Sequence, residues 1–82
     1  MAATREDIQR WLQTGIEKEA THVIVMCDTF DWDDYPVYVS ANEDIHEKLK
    51  ECRNKSMAKV MEVYNLKMDI EAQMREHRAY NL

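Results

Sequence analysis

The stretch from Thr21 to Ser40, THVIVMCDTFDWDDYPVYVS, constrains this chain more than any other. Val23, Ile24, Val25 and Met26 form its apolar start, mostly β-branched, which suits a pleated and buried strand. Asp31, Asp33 and Asp34 favour turns over strands. Pro36 has no N–H to donate, which suits the first position of a strand. Val37, Tyr38 and Val39 then resume the β pattern. These residues predict two strands, at 22–29 and 36–40, joined by a loop of about six residues, longer than the commonest hairpin loops. Alternation places Val23, Val25 and Cys27 on one face and Ile24 and Met26 on the other. Val37 and Val39 face opposite to Tyr38. Both faces of the ribbon are thus apolar and its edges unpaired, which predicts a dimer or higher homo-oligomer.

A chain of 82 residues forms one domain, 1–82, with a core that buries only somewhat more than ~60% of the unfolded surface. Hydrophobic content of 45% beside 33% charge marks it as globular rather than disordered. No apolar run approaches the ~20 residues of a membrane span, and the N-terminus lacks the apolar core of a signal peptide. The expected location is the cytoplasm, where Cys27 and Cys52 are expected as buried thiols. The net charge of −5 is unevenly spread. Residues 1–47 hold 11 acids and 3 bases, whereas residues 48–82 hold 5 acids and 8 bases. Between Glu19 and Glu47 there are eight acids and no Lys or Arg. Such a field opposes a phosphate backbone, so nucleic acid is not an expected partner.

Along the chain, Thr4 reads as an N-cap with Asp7 completing a capping box. Ile8, Trp11, Leu12 and Ile16 repeat as one stripe of a helix over 5–19. Gly15 weakens that helix but permits close approach of another backbone. Ser40 or Asn42 is the expected cap of a second helix ending near Asn54, with Ile45, Leu49 and Cys52 on its buried face. Ser56 reads as the cap of a third, in which Met57, Val60, Met61 and Tyr64 form a stripe with Met57 and Met61 filling the core. The alternative for Val60–Tyr64 is a third strand. Asp69 caps a last helix whose face carries Ile70, Met74 and His77, with Gln73 beside them. The predicted fold is α+β: an N-terminal helix, a two-stranded antiparallel β ribbon and two to three C-terminal helices, in the order αββααα.

Asp28, Asp31, Asp33 and Asp34 form the sharpest cluster. Crowded carboxylates suit Mg²⁺ or Ca²⁺, but the calcium-loop pattern fails because its glycine and final glutamate are missing. A solvated acidic loop, with no metal and no cofactor, is expected. Trp32 and Tyr35 lie inside this loop. Aromatics beside charge either fold back over the core or form an interface or ligand platform. His22, His46 and His77 have no metal-ligand spacing. No nucleophile–base pair, phosphate loop or hydrolase elbow is present, so a non-enzymatic protein is expected. Arg75, His77 and Arg78 form the compact basic cluster. They complement the helix dipole or grip an anion.

Asp28-Thr29-Phe30-Asp31, Tyr35-Pro36-Val37-Tyr38-Val39, Val60-Met61-Glu62-Val63-Tyr64 and Arg75-Glu76-His77-Arg78-Ala79-Tyr80 together resemble a family of short uncharacterised proteins of bacteria and their phages, over nearly the whole chain. The resemblance implies a phage or mobile-element accessory protein and assigns no role to any residue. Two readings of function stand. In the first, a cytoplasmic accessory protein binds a protein partner through its acidic aromatic loop, with Asp28, Asp31, Trp32 and Tyr35. In the second, of anti-defence type, a nucleotide-like signal is sequestered at a homo-oligomer interface. Trp32, Tyr35 or Tyr38 would stack the base, Asp28 or Asp31 would accept from base or ribose, and Arg75 and Arg78 would pair with phosphate. A Mg²⁺-dependent enzyme using the aspartates is a third, less favoured class.

Overall fold

The computed structural model describes residues 3–76 and 78–82. The elements run α1 (Arg5–Glu17), β1 (Ala20–Asp28), β2 (Asp33–Ser40), α2 (Ile45–Arg53), β3 (Ala58–Asn65) and α3 (Ile70–Arg75). The fold is α+β, as expected, but its order is αββαβα. The strands form one antiparallel sheet in the order β2-β1-β3. The predicted two-stranded ribbon is therefore corrected to three strands, and the predicted helix from Ser56 to a strand.

The reason lies in one extra residue. Val25 pairs with Glu62 but Met26 pairs with Val60, so Met61 bulges out of the ladder. Met61 and Tyr64 consequently pack on one side of the sheet, and Val60 and Val63 on the other. Each pair is spaced i, i+3. A bulged strand thus carries the spacing of an amphipathic helix, and its period-2 signal disappears. The β-branched Val60 and Val63, and a central strand needing a partner on each edge, decide for the strand.

β1 is the spine. Its residues His22 to Cys27 are all buried. Val23 and Val25 join Leu12, Tyr64 and Ala79 in one cluster, which Ile8, Trp11, Ile70 and Met74 close from α1 and α3. Ile24 and Met26 join Val39, Ile45, Leu49, Cys52 and Val63 in a second cluster beneath α2. The predicted alternation thus holds on β1 and β2. What changes is the cover: the chain's own helices close both apolar faces. The case for a homo-oligomer made from uncovered faces loses its premise, and the sheet edges alone remain of it.

Local signals explain most boundaries. Thr4 and Asp7 form the expected capping box, each side chain accepting from the other's N–H at 3.1 Å. The Thr4 N–H, and then the Thr4 hydroxyl, hold the Asp7 carboxyl below its usual range. Gly15 is buried, and a Cβ there would stand 2.9 Å from both Val23 Cγ2 and Leu66 Cδ1. The close approach is thus made to side chains rather than to another backbone. Ile16, expected in the buried stripe, is 44% exposed. The cap of α2 is Asp44, accepting from His46 N–H at 2.9 Å, rather than Ser40 or Asn42. Ser40 and Glu43 are instead tied to each other: the N–H and hydroxyl of Ser40 both donate to Glu43 Oε1, at 3.0 and 2.8 Å. Asp69 caps α3 as expected. Gln73, only 1% exposed, turns its amide onto the end of β3, accepting from Asn65 N–H and donating to the Asn65 carbonyl, both at 2.8 Å. His77, expected on this face, lies outside the described residues.

Among the described residues no helix is long and apolar enough to cross a membrane.

Candidate functional site: the aromatic tip of the sheet

The predicted loop of six shortens to four residues, 29–32, because β2 already starts at Asp33; Pro36 lies within the strand rather than at its start. Asp28 builds this turn. Its carboxylate accepts from Phe30 N–H at 2.8 Å and its carbonyl from Trp32 N–H at 2.7 Å. Closing the turn puts Trp32 in the left-handed region, at φ 61°. The turn before β3 docks alongside: Thr29 N–H donates to the Met57 carbonyl at 2.8 Å, and Met57 also has φ 61°. Left-handed backbone costs a residue with a Cβ roughly 1–2 kcal/mol and is a genuine outlier for a bulky side chain.

These two turns present large apolar groups to solvent at one end of the sheet. Phe30 is 76% exposed, Trp32 57% and Met57 56%. The expected core role of Met57 is therefore corrected, whereas Met61 packs against the α1-side cluster as expected. Trp32 presents its ring instead of folding back over the core. Lys59 Nζ stands over that ring at 5.4 Å, a cation–π contact. Phe30, Tyr35, Met57 and Ala58 line an open groove together with Asp28 and Lys55.

The four aspartates do not act as a unit. Asp28 closes the turn. Asp31 is exposed at the tip. Asp33 and Asp34 are successive strand residues, so they face opposite sides of the sheet, and Asp34 accepts from Ala3 N–H at 2.8 Å. Among the described residues no three His, Cys, Asp or Glu side chains converge to hold a metal ion.

The remaining candidates are dispersed. Tyr35 packs on the α2 side, while Trp32 meets Lys59, which pairs with Cys27 and shares its α1 side. The two aromatics thus do not frame one base. Tyr38 lies under α1, its ring capped by Lys18 Nζ at 5.0 Å. Arg78 lines a depression of about 290 Å³ with Arg5, Ile8, Asp34, Glu62 and Met74. Arg75 lines another, beside Arg5, Glu71 and Met74. The nucleotide constellation predicted from Asp28, Asp31, Trp32, Tyr35, Tyr38, Arg75 and Arg78 is therefore not assembled in one protomer.

Cys27 and Cys52 are buried free thiols, and burial raises both above the usual thiol range. His22 is a satisfied core histidine: Nδ1 meets Thr21 Oγ1 at 2.9 Å and Nε2 meets Leu82 O at 3.0 Å. Burial, and then the Glu62 carboxylate to which its hydroxyl donates, push Tyr64 up.

Phe30 and Met57 are not among the site residues expected from the sequence. The signal available was the pairing of large apolar residues with turn positions, where Gly or Asn is the ordinary choice. No protein-family model, curated protein or solved structure matches the chain.

Proposed function

We propose that this protein is a non-enzymatic accessory protein that binds a protein partner at the tip formed by Phe30, Trp32 and Met57, with Asp28 and Asp31 beside them. One observation carries this reading: the largest side chain of the hairpin turn sits in solvent on backbone that disfavours it. The half-exposed ring of Trp32 stabilises the free domain by only part of what a buried tryptophan would, and the left-handed backbone offsets some of that. A bound partner supplies the missing benefit, because a buried tryptophan anchor contributes far more to an interface than its area suggests. Asp28, Asp31 and Asp33 outnumber Lys55 and Lys59 around the tip, which favours a partner surface rich in Lys or Arg. The resemblance to short bacterial and phage proteins fits such a role.

The test compares the wild-type protein with a Phe30→Ser/Trp32→Gly variant, both immobilised against bacterial lysate and quantified by mass spectrometry. The expected result is a protein enriched on the wild type and lost on a variant that still shows a cooperative thermal transition. Equal enrichment on both overturns the reading, as does a nucleotide found by native mass spectrometry in the purified wild type.

A further inference from the structure

The two edges of the sheet are finished differently. At the β3 edge, Val63 donates its N–H to the Ala79 carbonyl at 2.9 Å and accepts from Asn81 N–H at 3.0 Å. The C-terminal segment therefore covers that edge, through a parallel bridge between Val63 and Tyr80. At the β2 edge, proline fixes the phase of the ladder. Pro36 lies opposite Val25 and has no N–H, so theirs is a non-hydrogen-bonded pair. Its neighbours Tyr35 and Val37 then bond to β1, and Asp34, Pro36 and Tyr38 turn their backbone groups outward. Among the described residues no backbone group covers them. Residues Asp34 to Tyr38 are all only partly buried, whereas β1 is buried from His22 to Cys27.

Charge limits what can pair here. β2 lies within the run from Glu19 to Glu47 that holds eight acids and no Lys or Arg. Asp31 and Asp33 flank one end of the strand, Glu43 and Asp44 the other. Glu43 is already paired with Lys48 at 3.1 Å, and Lys18 over Tyr38 is a cation facing the strand. A second copy added in antiparallel register brings its own acids toward these, and like charges across strands destabilise a pair. Acids and a proline on an edge guard against self-association. They leave the edge open to a strand of opposite charge, since Pro36 keeps its carbonyl acceptor.

We propose that the outer edge of β2 accepts an extended, Lys- or Arg-rich segment of a partner protein as an added strand. The N–H groups of Asp34 and Tyr38 donate to it, and the carbonyls of Pro36 and Tyr38 accept from it. Its side chains extend the cover over Tyr35 and Val37, and its cations meet Asp31 and Asp44. This inference stands apart from the aromatic tip, because it rests on backbone groups that the tip variants leave in place.

The probe is a synthetic peptide alternating lysine and valine over the length of β2. Two controls are the same peptide with glutamate for lysine, and the lysine peptide N-methylated at alternate residues. The readout is residue-resolved amide hydrogen exchange at saturating peptide. The lysine peptide is expected to slow exchange at Asp34 and Tyr38 by about tenfold or more, as a new cooperative ladder does, and both controls to leave it unchanged. Three results overturn the proposal: no protection from the lysine peptide, equal protection from its N-methylated form, or protection at Asp34 and Tyr38 without peptide, which assigns the edge to a second copy. Measuring the peptide on the Phe30→Ser/Trp32→Gly variant separates the two surfaces, since protection is expected to survive there.

Discussion

Replacing Trp32 by alanine and by glycine separates its ring from its backbone. Tryptophan buries ~150–250 Å² when fully covered. At 57% exposure a little under half of that is covered. At ~25 cal/mol per Å², less the part already covered in the unfolded chain, Trp32→Ala costs about 1–2 kcal/mol. That is well short of the ~3–5 kcal/mol of an aromatic core truncation. Both variants lose the ring and its contact with Lys59, so their difference reports the φ of 61°. Relief of left-handed strain is worth ~1–2 kcal/mol, and glycine's greater unfolded-state freedom removes ~0.4–1 of that. Trp32→Gly is therefore expected to be the more stable by about 0.5–1 kcal/mol, a few degrees in Tm for a domain this size. The assay is thermal denaturation of the three proteins followed by circular dichroism. An alanine variant as stable as the glycine variant refutes the strain argument. Loss of the transition in both would place Trp32 in the core.

Gln73→Leu should lower stability by about 2–3 kcal/mol in urea denaturation, because it strips partners from Asn65 N–H and carbonyl at a buried site. A neutral result would mean that water replaces the amide. Gly15→Ala should cost about 1 kcal/mol net, the clash with Val23 and Leu66 exceeding the gain in helix propensity. A stabilised variant would show that the cleft relaxes freely. Bonds from the Ser40 N–H, then the Ser40 hydroxyl, then Lys48 lower Glu43 to about 2. Its contribution is thus present above the ordinary carboxylate range, near 4.5, and lost as pH falls toward 2. Glu43→Gln should flatten stability against pH over that window, and an unchanged acid limb would count against the Ser40–Glu43 link.

What the sequence determined by itself are the features set by neighbours along the chain. The capping box of Thr4 and Asp7, the Asp69 cap, the β runs around Val25 and Tyr38, and the sidedness of Val23 against Ile24 all follow from local hydrogen bonding and alternation. So does the acidic hairpin turn, in which the Asp28 carboxylate needs only the next two residues. Tertiary structure decided the rest. Whether Val60–Tyr64 is helix or strand turns on the bulge at Met61, visible only once β1 supplies the register. Whether apolar faces meet another molecule or the same chain depends on where α1, α2 and α3 return. Met57 reads as core in a helical stripe and as surface in a turn docked on Thr29, because the chain contact that exposes it spans 28 residues. The tip and the open edge of β2 are properties of the assembled sheet: which strand ends up outermost is set by the pairing of β3 with β1, and within β2 the local pointer to an edge is Pro36, which a central strand does not accommodate.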